Sequence, residues 1–78
     1  MEKIEILGTG CARCRRLEKN VEKAVSDLGT DVEVIKIEDI TAITDRGVML
    51  TPALIVDGEL KVSGRVADVK EIKEILQG

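Results

Sequence analysis

The sequence predicts an α/β domain in the order βαβαββα, three helices on a four-stranded mixed sheet, and two features carry that prediction. A strand, a long amphipathic stretch and a second strand follow one another over residues 3–37, which is a βαβ unit, so those two strands run parallel. Residues 53–62 then hold two short apolar runs around Asp57-Gly58, a strong hairpin signal, so the other two strands run antiparallel.

Each element has a local reason. Lys3 to Leu7 alternates, with Ile4 and Ile6 on one face, and Gly8-Thr9-Gly10 ends the run. From Cys11 to Leu28 the apolar positions Cys14, Leu17, Val21, Ala24, Val25 and Leu28 recur at spacings of three and four, opposite Glu18, Lys19, Glu22 and Lys23. Gly29 stands where a helix C-terminus favours glycine. Val32, Val34, Ile35 and Ile37 form a strand rich in β-branched residues. Asp39 to Asp45 places Ile40 and Ile43 three apart in a short helix that Gly47 closes. Ala53–Val56 and Glu59–Val62 are the hairpin strands, and Asp68 caps a last helix with Val69, Ile72, Ile75 and Leu76 as its apolar stripe. No repeat, linker or low-complexity tract interrupts the chain, so residues 1–78 read as a single domain.

Composition removes whole classes of function. The chain has 78 residues with no His, Phe, Tyr or Trp, and 12 Lys and Arg against 15 Asp and Glu, for a net charge of -3. That balance opposes nucleic-acid binding, and without aromatics there is no base-stacking platform. Lacking His, the chain has neither the usual neutral-pH base nor a Cys/His pair. The charged start Met1-Glu2-Lys3-Ile4-Glu5 is followed by no long apolar run. No signal peptide or membrane span is therefore expected, and the cytoplasm is the expected location.

Thiols, carboxylates and cations remain for chemistry. Cys11 and Cys14, only three positions apart, make a poor structural staple, because so short a loop restrains the unfolded chain by only about 2 kcal/mol. In a reducing compartment such a pair more often serves a redox or metal site. Cys11-Ala12-Arg13-Cys14 lies where loop becomes helix, so the first sulfur sits at the helix start and the second nearly one turn inside. The helix terminus favours a thiolate there, and Arg13, among Arg13, Arg15 and Arg16, is the cation expected to help. Cys11 is expected to be exposed and to attack a partner disulfide, and the partly buried Cys14 to resolve the mixed disulfide. No cofactor is expected beyond a redox-active Cys11–Cys14 disulfide. Pro52, the only proline, opens the hairpin; on composition alone it reads as a trans proline starting an edge strand.

With a strand, a Cys-x-x-Cys at the start of a long helix, Thr51-Pro52 before a hairpin and a closing helix, the chain resembles the thioredoxin fold in its minimal form. It is most similar to small archaeal and bacterial thioredoxin-like or glutaredoxin-like redox proteins, and the resemblance covers nearly the whole chain. The run Gly47-Val48-Met49-Leu50-Thr51-Pro52-Ala53-Leu54 carries much of it. The resemblance implies a protein disulfide oxidoreductase, a cis Pro52, and a Thr51 backbone that pairs with an extended substrate strand. It also implies disulfide-containing client proteins and a reductase as partners. Ala12 and Arg13 replace the Gly-Pro of typical thioredoxins and the Pro-Tyr of typical glutaredoxins, and no Trp precedes Cys11, which leaves potential and partner open. Gly64 and Asp68 match a glutathione-binding turn only loosely, so glutathione is not favoured. Glu5, six positions before Cys11, matches the family's buried acid in position but reads here as a solvated strand residue.

Two other classes compete. A dithiol on a loop can hold Cu(I), so a soft-metal carrier is the alternative; it is disfavoured because such domains usually read βαββαβ and lack Thr51-Pro52. A closed zinc site would need four ligands, where one chain offers two thiols and no His. A noncatalytic interaction module using the groove beside Pro52 is the third reading, and the intact cysteines weigh against it.

Overall fold

A computed structural model describes residues 3–77. Its elements are β1 (Lys3–Leu7), α1 (Ala12–Leu28), β2 (Glu33–Ile37), α2 (Ile40–Asp45), β3 (Ala53–Val56), β4 (Glu59–Ser63) and α3 (Val69–Gln77), in the expected order and within a residue or so of the expected bounds. The caps Gly29 and Asp68 are those the sequence indicates, while Asp39, read as the first residue of α2, is its N-cap. Gly29 takes a left-handed φ of 62° at the end of α1. Asp39 Oδ1 accepts the Thr41 N–H at the start of α2, and Asp68 Oδ1 accepts the Glu71 N–H at the start of α3.

The strands lie in the order β2-β1-β3-β4. β1 is parallel to β2 and antiparallel to β3, and β3 is antiparallel to β4. Asp57 and Gly58 both adopt positive φ, 51° and 83°, the requirement of a type I′ turn. The turn is tied back to the sheet where Lys3 N–H donates to Asp57 Oδ1 and Asp57 N–H to the Lys3 carbonyl, each at 2.8 Å. Beyond the turn the register slips between Leu54 and Ile55: Ile55 pairs with Leu60 and Leu54 with Val62, leaving Lys61 as the extra residue of a β-bulge. β3 is thus an interior strand, and the reading of Pro52 as the start of an edge strand is corrected.

Both faces of the sheet are covered. Ile4, Ile6, Leu54, Val56 and Val62 pack against Leu17, Val21 and Ala24 of α1 and Ile72 of α3. On the opposite face Leu7, Ile37, Ala53 and Ile55 pack against Ile43 of α2 and the following Val48. The period-two pattern of β1 therefore has no solvent side, and the expectation that Glu5 is solvated fails: it is only 6% exposed. Its carboxylate accepts a 2.8 Å bond from Arg46 Nε, just past α2, while Arg46 Nη1 donates to the Ala42 carbonyl. A buried carboxylate survives there because a cation and its hydrogen bond come with it.

Candidate active site

The site forms where β1, α1 and the segment before β3 converge. Gly8 extends the parallel pairing by donating its N–H to the Ile37 carbonyl at 2.9 Å. A Cβ at Gly8 would lie 3.0 Å from Cys14 Cβ, overlap Cys14 Sγ, and stand 4.0 Å from Pro52 Cα. Only a residue without a side chain lets dithiol, strand and proline segment close this tightly. Gly10 then turns through a φ of 83°, its carbonyl accepting from Arg15 Nη1 at 2.9 Å, and delivers the chain to Cys11 in an extended conformation.

Cys11 is the N-cap of α1. Its carbonyl accepts the Arg15 N–H at 3.0 Å and its sulfur accepts the Cys14 N–H at 3.4 Å. The two sulfurs, unbridged, are 2.9 Å apart. Cys11 is exposed and Cys14 is 6% exposed, as the position of each on the helix implies. This asymmetry separates their acidities. The hydrogen bond from the Cys14 side chain, then the Cys14 backbone N–H, hold the Cys11 thiol below the usual cysteine range, and the Arg13 N–H and guanidinium charge add to it. Burial, then the hydrogen bond to Cys11, push the Cys14 thiol up. Arg13 does act in the expected direction, but Cys14 outweighs it. Beside Cys14 opens a cleft of about 140 Å³ bordered by Arg15, Glu18, Lys36 and Glu38, room for a few waters.

The Thr51-Pro52 peptide bond is cis, as the resemblance implies. Pro52 is buried and Thr51 half-buried. The Pro52 carbonyl accepts the Gly64 N–H at 2.9 Å, and Ser63 Oγ donates to the Leu50 carbonyl at 3.2 Å, so the end of β4 backs this segment. In front, Met49 is 94% and Leu50 62% exposed. Arg13 Nη2 donates to the Gly64 carbonyl at 2.8 Å, a partner that no sequence pattern signals. Asp68 Oδ1 serves as the cap of α3. Gly8 is the other residue sequence reasoning missed: it reads simply as the end of a strand, and its contact with Cys14 depends on the folded path of the loop.

Among the described residues, no cluster of three or more metal-ligating side chains is present and no helix is long and apolar enough to cross a membrane. A family model described as "Thioredoxin domain" matches residues 2–77. The chain is 54% identical over 76 residues to a thioredoxin of Methanothermobacter thermautotrophicus, covering 97% of this chain and 99% of that one. It is 40% identical over 74 residues to a thioredoxin of Methanocaldococcus jannaschii, covering 95% and 85%. A solved thioredoxin-2 of the malaria parasite superposes with a TM-score of 0.78 at 10% identity, over 99% of this chain and 82% of that one, which speaks for the fold alone. These likenesses favour disulfide exchange over metal carriage. Identity above one half, sustained along essentially the full length of both chains, places this protein in the thioredoxin family as a thiol-disulfide oxidoreductase.

Proposed function

We propose that Cys11 is the attacking thiolate and Cys14 the resolving thiol in the reduction of protein disulfides. Thioredoxins act on disulfide-containing substrates and are returned to the dithiol by a reductase, and this chain shares that cycle. The observation that carries the assignment is the pairing of an exposed sulfur at a helix N-cap with a buried one 2.9 Å away. In the first step Cys11 thiolate attacks one sulfur of the client disulfide; that S–S bond breaks and the other client sulfur leaves as a thiolate. In the second, Cys14 gives up its proton and attacks Cys11 Sγ, expelling the remaining client sulfur. Two electrons pass to the client and the Cys11–Cys14 disulfide is left for the reductase, so no separate cofactor is needed.

Thr51 and Pro52 form the client-binding edge in this reading: their segment faces the dithiol across Gly8 and carries exposed Met49 and Leu50. Arg13 supports the Cys11 thiolate with its charge. The loose match of Gly64 and Asp68 to a glutathione-binding turn is why protein disulfides are favoured over glutathione. A cytoplasmic location suits this cycle, because reducing compartments keep so closely spaced a pair as free thiols.

The test is an insulin-type disulfide reduction assay. Cys11→Ser should abolish turnover, and Cys14→Ser should accumulate a covalent client adduct at Cys11, visible by mass spectrometry. Full activity in Cys11→Ser, or tight Cu(I) binding by a wild-type protein that reduces no disulfide, would overturn the assignment.

A further inference from the structure

Arg13 stands between the two cysteines, yet its side chain is not turned wholly to them. Its guanidinium reaches the carbonyl of Gly64, 51 positions along the chain, at 2.8 Å. Gly64 is not a passive acceptor. Its N–H donates to the Pro52 carbonyl at 2.9 Å, so one residue joins Arg13 on one side to the cis-proline segment on the other. Gly64 has a φ of 77°, and a Cβ there would lie 3.1 Å from Leu50 Cβ, so the strand end lies close against the Leu50 side chain. The neighbouring Ser63 hydroxyl fastens the Leu50 carbonyl to the same strand end. Arg15 makes no such span: its guanidinium bonds to Gly10, five positions back in its own loop.

We propose that Arg13 is a positioning residue that latches the start of α1 to the Leu50–Pro52 segment through Gly64, so that a protein client lying along that segment meets Cys11 in register. The latch sets recognition of protein disulfides and is separate from the support that Arg13's charge gives the thiolate. It rests on the reading that clients pair along the Thr51 edge. An arginine suits this role because its planar fork of donors holds a fixed carbonyl while other donors remain free for a client's own carbonyl groups. The bond is exposed and modest by itself. Its effect lies in linking two segments that share no covalent neighbourhood and that must both be placed to within fractions of an ångström for exchange.

The experiment compares wild type, Arg13→Met and Gly64→Ala in four measurements. These are KM and kcat for a protein disulfide, the rate with a small aromatic disulfide, the thiolate absorbance titration of Cys11, and the amide exchange of Gly64. Arg13→Met should raise the protein KM about fivefold, the scale of one lost ordinary hydrogen bond, with kcat changed only as far as the thiolate titration shifts. Small-disulfide reactivity should change only as far as the titration shifts, and the Gly64 amide should exchange faster. Gly64→Ala, which keeps the guanidinium, should raise the protein KM in the same way, and the double variant should be no worse than the more impaired single one. Equal losses toward protein and small disulfides, tracking a displaced titration, would overturn the latch in favour of charge alone. An unchanged protein KM with unchanged Gly64 exchange would overturn it as well.

A peptide disulfide N-methylated beside its cysteine separates this from the underlying reading. If wild type binds it as well as the unmethylated peptide, edge pairing itself is wrong. If methylation weakens binding and Arg13→Met does not, only the latch fails.

Discussion

A cysteine at the surface of a protein is protonated at neutral pH unless something stabilises its anion, and at Cys11 several small influences do so together. The Cys14 side chain and N–H come first, Arg13 last, and the same hydrogen bond that lowers Cys11 raises the buried Cys14. Because the Cys11 pKa is lowered, its thiolate persists to a lower pH than an ordinary cysteine and is lost as pH falls through that depressed value. Cys14 becomes reactive only above the ordinary range. Iodoacetamide labelling followed by mass spectrometry from about pH 5 to about pH 10, which spans the thiol range, should therefore show Cys11 modified first, with Cys14 following at the alkaline end. Simultaneous labelling at one midpoint would contradict this order. At this scale the sequence was generous with chemistry and silent about geometry. Cys11-Ala12-Arg13-Cys14 names the reacting atoms and even which of them is exposed, since helix periodicity turns Cys14 inward with Leu17 and Val21. The destination of the Arg13 guanidinium could not be read, because nothing local to residue 13 encodes a carbonyl at residue 64.

Elements were legible where their cause is local. Alternation, three-and-four spacing, Asp57-Gly58 and the cap Asp68 all act within a few residues, and all seven elements follow from such signals. The burial of Glu5 is not legible in β1, because its environment is made by a different element. The six-residue α2 and the residues after it cover the second face of β1, and they bring Arg46 41 positions in sequence to the carboxylate. The pair has a consequence for stability. Arg46→Met leaves a carboxylate in a site built for an ion pair and should destabilise the fold by about 1–2 kcal/mol, less than for a fully buried pair because the arginine is partly exposed. Adding Glu5→Leu should recover most of that loss, since it removes the unpartnered charge and supplies apolar surface beside Leu7 and Ile55. Urea midpoints of the two variants decide the matter; a double variant less stable than Arg46→Met would show that the carboxylate has another essential partner.

For the molecule as a whole, a chain of 78 residues without aromatics must build two thin aliphatic layers, one on each face of a four-stranded sheet. Total stability on the order of 4–12 kcal/mol is the range for this length. Leu17 is fully buried where α1 meets the sheet, so Leu17→Ala should remove about 3–5 kcal/mol, a large part of the whole, and lower the urea midpoint accordingly. A loss under about 1 kcal/mol would mean that the layer collapses to fill the gap. The class of fold was legible at this scale because one βαβ unit and one hairpin in a short chain have few ways to share a sheet. The cis Thr51-Pro52 bond was reached through family likeness rather than through the residues themselves.

The β-bulge at Lys61 bears on company rather than on chemistry. An open sheet edge is a hazard for any protein: an extended chain, or a second copy of the same one, can add to it and stay. On the outer strand β4, Lys61 interrupts the regular ladder and pairs with Glu59 at 3.3 Å, placing charge and an irregular backbone along that margin. Edges treated in this way resist strand addition. The bulge thus guards that margin of the sheet against strand addition.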